Sequence, residues 1–221
     1  PQKMPEILLR STLWALALRY DRAIILANKA WTKAPDFVQA DVLKWVYPKE
    51  FESFVKAAAE KQKVNPLWVY SLMRQESSFQ VDARSSSNAL GLMQLLPSTA
   101  QQVADETRLK DFKVSESLFQ PEVNIKLGTN YLSRMITQFG GNVPLALAAY
   151  NAGPTRLKRW LSARKDLEGL AEKVNSSPDT EIWMDELPWE ETSFYVKAIL
   201  RNWLVYRSLD EGRHQIQDPV W

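Results

Sequence analysis

A carboxylate at the end of an apolar helical stripe is equipped for acid–base chemistry, and Glu76 holds such a place in the run Met73-Arg74-Gln75-Glu76-Ser77-Ser78-Phe79. Val69, Leu72 and Met73 recur on one helical face, and Glu76 is the next position of that face. Burial disfavours the charged form of a carboxyl, so a group in this setting holds its proton near neutral pH and serves as a general acid. A glutamate whose face tips into solvent where a helix ends fits the same pattern, and the helix alone leaves both readings open. Three further segments mix polar groups with apolar neighbours. Gly91-Leu92-Met93-Gln94 joins a glycine, which permits an unusual turn, to an amide set among apolar side chains. A buried amide must find partners, either in the loop backbone or in a ligand group such as N-acetyl. Ala146, Ala149, Tyr150 and Gly153 share a helical face whose small residues admit the close approach of another backbone or of a ligand. The Tyr150 hydroxyl and the Asn151 amide stand at that crowded spot. Asp185 to Thr192 places Asp185, Glu186, Glu190 and Glu191 ahead of a predicted helix, where capping and helix-dipole chemistry by itself accounts for acidic residues.

The elements that must position these residues are helices. Glycine is scarce and apolar residues recur mostly at helical spacing, which predicts an all-α chain. Asn65 caps and Pro66 opens the helix that ends at Glu76. A helix is predicted before it over Glu50 to Lys61, and a Ser-, Asp- and Asn-rich loop after it from Gln80 to Leu90. Pro97 begins a helix through Val103. Pro121 starts a long one carrying Val123, Leu127, Tyr131, Met135 and Phe139, ended by Gly140-Gly141. Pro144 opens a shorter helix that stops at Gly153-Pro154, Leu157, Trp160 and Leu161 belong to the next, and the last runs from Glu190 to about Leu209. Arg164 to Glu181 is polar and mixed in charge, as a surface segment is. Ahead of this unit lie short pieces: Glu6 to Arg19 with Leu9, Leu13 and Leu16; one capped by Asp21; and one opened by Pro35 and Asp36 that ends near Tyr47-Pro48. Residues 1–49 therefore read as the helical tail of a superhelical or linker region, and residues 50–221 as one compact unit.

Composition removes several kinds of chemistry. The 221 residues suffice for one sizeable core, and the absence of cysteine excludes disulfides, thiolate catalysis and thiolate metal sites. The single histidine, His214, lies in a polar tail with no second histidine to complete a metal or proton-relay site, so no metal and no cofactor is expected. Twenty-eight basic and 26 acidic residues give a net charge of +2 with no block of one sign, which excludes the basic face that nucleic acid requires. No run of about twenty apolar residues predicts a transmembrane segment. No signal peptide is legible after Pro1, so the chain reads as a mature or trimmed fragment.

Taken together, the motifs resemble the catalytic domain of the soluble lytic transglycosylases, peptidoglycan-cleaving enzymes with a lysozyme-like α-helical fold. The resemblance runs from roughly Tyr47 to Tyr206. It rests on Glu-Ser-Ser-Phe at 76–79, Gly-Leu-Met-Gln at 91–94 followed by Pro97-Ser98-Thr99-Ala100, Ala-Tyr-Asn-Ala-Gly at 149–153, and the stretch from Glu186-Leu187-Pro188 to Tyr195-Val196. It implies that Glu76 is the sole catalytic acid and base, and that Ser85 contacts the N-acetyl group of the muramic sugar. Met93, Gln94, Tyr150, Asn151 and Glu186 would face the saccharide groove. It also implies peptidoglycan glycan strands as the partner, a periplasmic location, and 1,6-anhydromuramyl products made without a second carboxylate. Asn88 and Leu90 stand where the family more often has small residues or glycine, and Ser193 stands where an arginine is common. Two rivals are weighed beside this expectation. One is a lysozyme-type hydrolase in which Glu186 or Asp82 activates water; the other is a peptidoglycan-binding module without catalysis. Among the nine tryptophans, Trp68, Trp160 and Trp203 are expected in the core, while Trp183 and Trp189 flank Glu186 as cleft candidates.

Overall fold

The computed structural model describes residues 4–33, 43, 46–170 and 182–212. The architecture is helical, and the only β-type pairings among these residues are isolated bridges from Leu90 to Arg84 and to Leu95. Helices α1 (Met4–Leu16) and α2 (Tyr20–Lys33) form an antiparallel pair. They are joined by a turn in which Leu18 takes a left-handed φ of 57°. Ile7, Ser11 and Ala15 face Ala23, Ala27 and Ala30, and the Ser11 hydroxyl donates to the Ala23 carbonyl at 2.8 Å. Leu9, Leu13 and Leu16, which mark this helix in the sequence, point outward and are more than half exposed. The helix predicted from Pro35 lies almost wholly outside the described residues, as do His214 and the part of the 164–181 segment beyond Leu170.

Beyond this pair come α3 (Glu52–Gln62), α4 (Pro66–Glu76), α5 (Pro97–Glu106), the single turn α6 (Val114–Ser117), α7 (Pro121–Gln138), α8 (Val143–Ala152), α9 (Pro154–Ser162) and α10 (Glu190–Glu211). Prolines stand at the first position of four of these helices and at the second of α8, where the missing N–H costs no bond. Asn65 caps α4 by accepting from Leu67 N at 2.9 Å, and Asn142 caps α8 by accepting from Leu145 N at 3.0 Å. The central α8 is buried from Pro144 to Tyr150 and packs against α7, α9 and α10. An element enclosed on every side carries no amphipathic signal, which is why its apolar run is continuous.

Helix α4 packs along α10, and this interface sets where Glu76 ends up. Trp68 stacks on Trp203 with ring centroids 4.8 Å apart and planes 12° from parallel. Further along, the buried Arg74 donates to Val46 O and to Asn202 Oδ1, each at 2.9 Å, with its guanidinium 3.9 Å from the Tyr47 ring centroid. Tyr206 of α10 donates to the Pro48 carbonyl at 2.8 Å, so the chain entering the compact unit is fastened to its last helix. The buried core is continuous from Ala15, Tyr20 and Ile24 of the first pair through to Tyr206. Tyr20 bridges the two regions, donating to Glu50 at 2.6 Å and meeting the Phe79 ring edge-on.

Candidate active site

Glu76 is the last residue of α4. The chain then reverses through Ser78 and Phe79, both left-handed with φ of 49° and 64°, while Ser77 Oγ lies 2.8 Å from the Leu92 carbonyl and ties the turn to the Gly91–Gln94 loop. Glu76 remains partly accessible to solvent on one side, and protein surrounds the rest of its carboxyl. From α10, the Tyr195 hydroxyl donates to Glu76 Oε1 at 2.5 Å. Burial pushes the Glu76 carboxyl up from 4.5 to about 8; the Tyr195 bond opposes that shift, and the negative charge of Glu191 adds to it. The carboxyl therefore favours its protonated form near neutral pH. Burial also holds the Tyr195 and Tyr150 hydroxyls well above the ordinary tyrosine range, with the Glu76 charge as a further cause for each. Both tyrosines stay neutral donors, and each lies within electrostatic reach of Glu76.

The Gly91–Gln94 loop is built around Asn124 of α7. Its side chain accepts from Met93 N at 2.8 Å and donates to Leu90 O at 3.0 Å and Leu118 O at 2.9 Å, which uses an internal amide fully. Gly91 has φ of 75°, and a Cβ there would lie 2.2 Å from Leu118 O and 2.3 Å from Asn124 Nδ2. The glycine is required on both counts. Gln94, with φ of 44°, donates through Nε2 to Ala83 O at 3.1 Å and Gly91 O at 2.9 Å, leaving Oε1 without a partner among the described residues. Met93 is placed differently from the expectation for a groove-lining side chain. It is fully buried, pressed against Gly128 of α7, where a Cβ would meet its sulfur at 2.4 Å. Its backbone carbonyl accepts from Tyr150 Oη at 2.9 Å. The exposed apolar residue of this loop is Leu96, 44% exposed.

Asn151 lies in the last turn of α8 beside Tyr150, and its Oδ1 accepts from Thr192 Oγ1 at 2.7 Å, joining α8 to the first turn of α10. Its Nδ2 is left to donate elsewhere. Ser85 accepts from Ala89 N at 3.0 Å inside the 80–90 loop, keeping its own proton free. Asn88 occupies a left-handed turn position at φ 61° with its side chain on Arg84, and Leu90 is buried. Glu186 is exposed and forms an ion pair with Arg164, which also engages Asp166. Arg164 thus supplies an arginine partner although Ser193 is not one. Tyr195 and Tyr150 are the hydroxyls that bear on Glu76, and the acidic charge that bears on it is that of Glu191, not Glu186. Trp183 is buried in the core, and Trp189 is half-buried beneath Arg156. Tyr195, Thr192 and Glu191 lie in segments that the sequence marks, but the sequence assigns none of them a place at the site. Their i, i+3 and i, i+4 spacing on one face of a helix that starts in a polar segment was the available signal.

No group of three or more acidic, histidine or cysteine residues among the described residues is arranged to hold a metal ion, and no described helix is long and apolar enough to cross a membrane.

Residues 53–172, just over half of the chain, match the family model described as the Transglycosylase SLT domain. The soluble lytic murein transglycosylase of Salmonella typhimurium is 30% identical over 197 residues, covering 89% of this chain and 28% of that protein. That of Escherichia coli K12 is 30% identical over 182 residues, covering 82% of this chain and 25% of its own length. The chain therefore spans between a quarter and a third of these relatives. An inactive glutamate-to-glutamine mutant of the lytic transglycosylase Slt from Pseudomonas aeruginosa superposes with a TM-score of 0.77 at 30% identity, over 98% of this chain and 32% of that one. The 70 kDa soluble lytic transglycosylase of Escherichia coli shares the fold, with a TM-score of 0.77 at 24% identity over 96% of this chain and 31% of its own. A lysozyme-like helical unit with a protonated carboxyl at the end of its α4, matched by that model and by these relatives, belongs to the Transglycosylase SLT domain family.

Proposed function

We propose that the chain is the catalytic part of a lytic murein transglycosylase, with residues 1–49 the end of a superhelical region and residues 50–221 the catalytic domain. It cleaves the β-1,4 bond between N-acetylmuramic acid and N-acetylglucosamine and releases 1,6-anhydromuramyl ends. The observation that carries this reading is the Glu76 carboxyl, protonated near neutral pH and held by Tyr195. A protonated carboxyl has one oxygen that accepts and one that donates. Tyr195 occupies Oε1, so the proton resides on Oε2, free to reach the bridging glycosidic oxygen.

Glu76 gives that proton to the leaving N-acetylglucosamine oxygen as the bond to muramic C1 breaks. Now ionised, and stabilised by the same Tyr195 hydroxyl, it takes the proton of the muramic C6 hydroxyl as that oxygen closes on C1. The carboxyl ends as it began, and no water enters the balance. Because the nucleophile belongs to the substrate, positioning carries much of the rate. Gln94 Oε1, Asn151 Nδ2 and the Ser85 hydroxyl are the polar groups left open to hold the sugars, Ser85 at the N-acetyl group. Tyr150 acts through the Met93 carbonyl it holds, and Leu96 adds an apolar face.

Hydrolysis through a second carboxylate is less well supported, because Arg164 neutralises Glu186 and Asp82 lies beside Leu18, Tyr20 and Phe79. The site of action is the murein layer, hence the periplasm. Mass spectrometry of products from purified sacculi tests the reading. Anhydromuramyl ends from the wild type and none from Glu76→Gln are expected; reducing ends would mean hydrolysis, and tight binding without soluble product would mean a binding module.

A further inference from the structure

Glu76 is followed at once by a turn that its own residues disfavour. Ser78 and Phe79 hold the two central positions, and the turn is closed by the Gln80 N–H donating to the Ser77 carbonyl at 3.0 Å. Both central residues are left-handed, the conformation that glycine or asparagine usually takes in such turns. A residue with a Cβ stays there only when its surroundings hold it. On one side the hold is Ser77 Oγ, 2.8 Å from the Leu92 carbonyl. On the other it is Phe79, whose buried ring is met edge-on by Tyr20 with centroids 6.0 Å apart. Much of that flank is hollow. A cavity of about 540 Å³ is lined by Leu18 and Tyr20 of the helical pair and by Phe51, Phe79 and Val81 of the compact unit. Side chains facing a void lose contacts on that side, so the Tyr20 ring carries a large share of the restraint on Phe79. Tyr20 is itself fixed, at the start of α2, by the bond from its hydroxyl to Glu50 Oε1 at 2.6 Å.

Resting on Glu76 as the acid of the proposed function, we propose that Tyr20, which belongs to the helical pair and not to the catalytic unit, is a positioning residue for Glu76. Through Phe79 it holds the turn that fixes the end of α4, and with it the direction of the carboxyl. A group that must give its proton to the bridging oxygen and then take one from the C6 hydroxyl works only within a narrow geometry. A turn released toward ordinary backbone angles displaces Glu76 and lets water in beside it. The α1–α2 pair is thereby part of what sets the chemistry, although it supplies no group that touches the sugar.

The test compares Tyr20→Leu, which keeps apolar bulk, with Tyr20→Phe, which keeps the ring. The control is Ile7→Ala, which opens a hole in the same helical pair but outside the core cluster that contains Tyr20 and Phe79. Each protein is measured by urea unfolding, by kcat and KM on soluble glycan chains, and by carboxyl 13C NMR of Glu76. Tyr20→Leu is expected to lower kcat about 10- to 100-fold with KM within about twofold of the wild type. It should also bring the Glu76 pKa down from about 8 by about one pH unit as water reaches the carboxyl. Tyr20→Phe stays within about threefold of the wild type in kcat. Ile7→Ala loses stability and leaves kcat and the Glu76 pKa unchanged. Phe79→Leu reproduces Tyr20→Leu, and joining the two adds little to either alone because both remove the same contact. The inference is overturned if Tyr20→Leu alters stability only, as Ile7→Ala does, if its loss lies in KM alone, or if Tyr20→Phe loses as much as Tyr20→Leu. Should Tyr20→Leu fail to fold, Phe79→Leu decides by the same readouts. The NMR measurement needs no turnover, so the two ideas fail separately. Cleavage and a Glu76 pKa that both ignore Tyr20→Leu remove the role of Tyr20 alone, whereas a wild type that releases no product, yet whose Glu76 pKa falls in Tyr20→Leu and not in Ile7→Ala, supports that role and removes the transglycosylase reading.

Discussion

Replacing Glu76 by glutamine should stabilise the protein in a pH-dependent way while abolishing turnover. The folded protein holds the carboxyl's proton up to about pH 8, whereas the unfolded chain releases it near 4.5. Between those values the native state binds more protons than the unfolded state, so stability falls as pH rises. The slope is about 1.4 kcal/mol per pH unit, which reaches about 5 kcal/mol at pH 8 and above if no water reaches the group. Solvent at the open side of Glu76 reduces this to about 3 kcal/mol. Glutamine preserves the shape and still accepts from Tyr195, but has nothing to ionise. Urea unfolding of both proteins across pH 4.5 to 8.5 should show near equality at the acid end. At the alkaline end the variant should be ahead by about 3 kcal/mol, or roughly 6–12 °C in Tm. A difference that stays flat over this range, or a wild type that gains on the variant as pH rises, would refute the claim that the native fold keeps this carboxyl protonated.

Tyr195→Phe removes the donor that favours the ionised carboxyl, so the Glu76 pKa should climb beyond about 8. The alkaline limb of the kcat/KM profile on glycan chains, set in the wild type by loss of the Glu76 proton, should move up by about one pH unit. kcat at neutral pH should fall roughly 10–100-fold as the proton loses its orientation; a limb that stays put or moves down contradicts the assigned role. Gly91→Ala places a methyl against Leu118 O and Asn124 in a left-handed turn, and should cost about 3 kcal/mol or more in urea unfolding. A loss below about 1 kcal/mol would show that the Asn124 clamp yields easily.

Several elements are legible from local rules because their causes are local. Asn65 and Pro66 announce α4, Pro121 announces α7, and Gly91 announces a turn, since capping, a fixed φ and a missing Cβ act within a few residues. The stripe of Val69, Leu72 and Met73 pointed correctly to the face on which Glu76 stands. Periodicity misleads in α1, where Leu9, Leu13 and Leu16 lie outside because alanines of α2 fit closely against Ile7, Ser11 and Ala15. It is silent on Met93, whose inward turn is set by the space above Gly128.

The chain's order of residues by itself determined an all-helical unit, a glutamate at the end of an apolar face, and the polar groups set out along the later segments. Tertiary structure alone decided that this glutamate keeps its proton, for that depends on the desolvation that comes with the packing of α4 along α10, which also brings Tyr195, 119 residues away, against Oε1. It also decided that Glu191 and not Glu186 bears on Glu76, and that Arg164 meets Glu186 while Arg156 stacks on Trp189. The physical reason is that capping and turn preferences are properties of neighbours in sequence. Desolvation and charge act through space, between groups that become neighbours only when the helices pack.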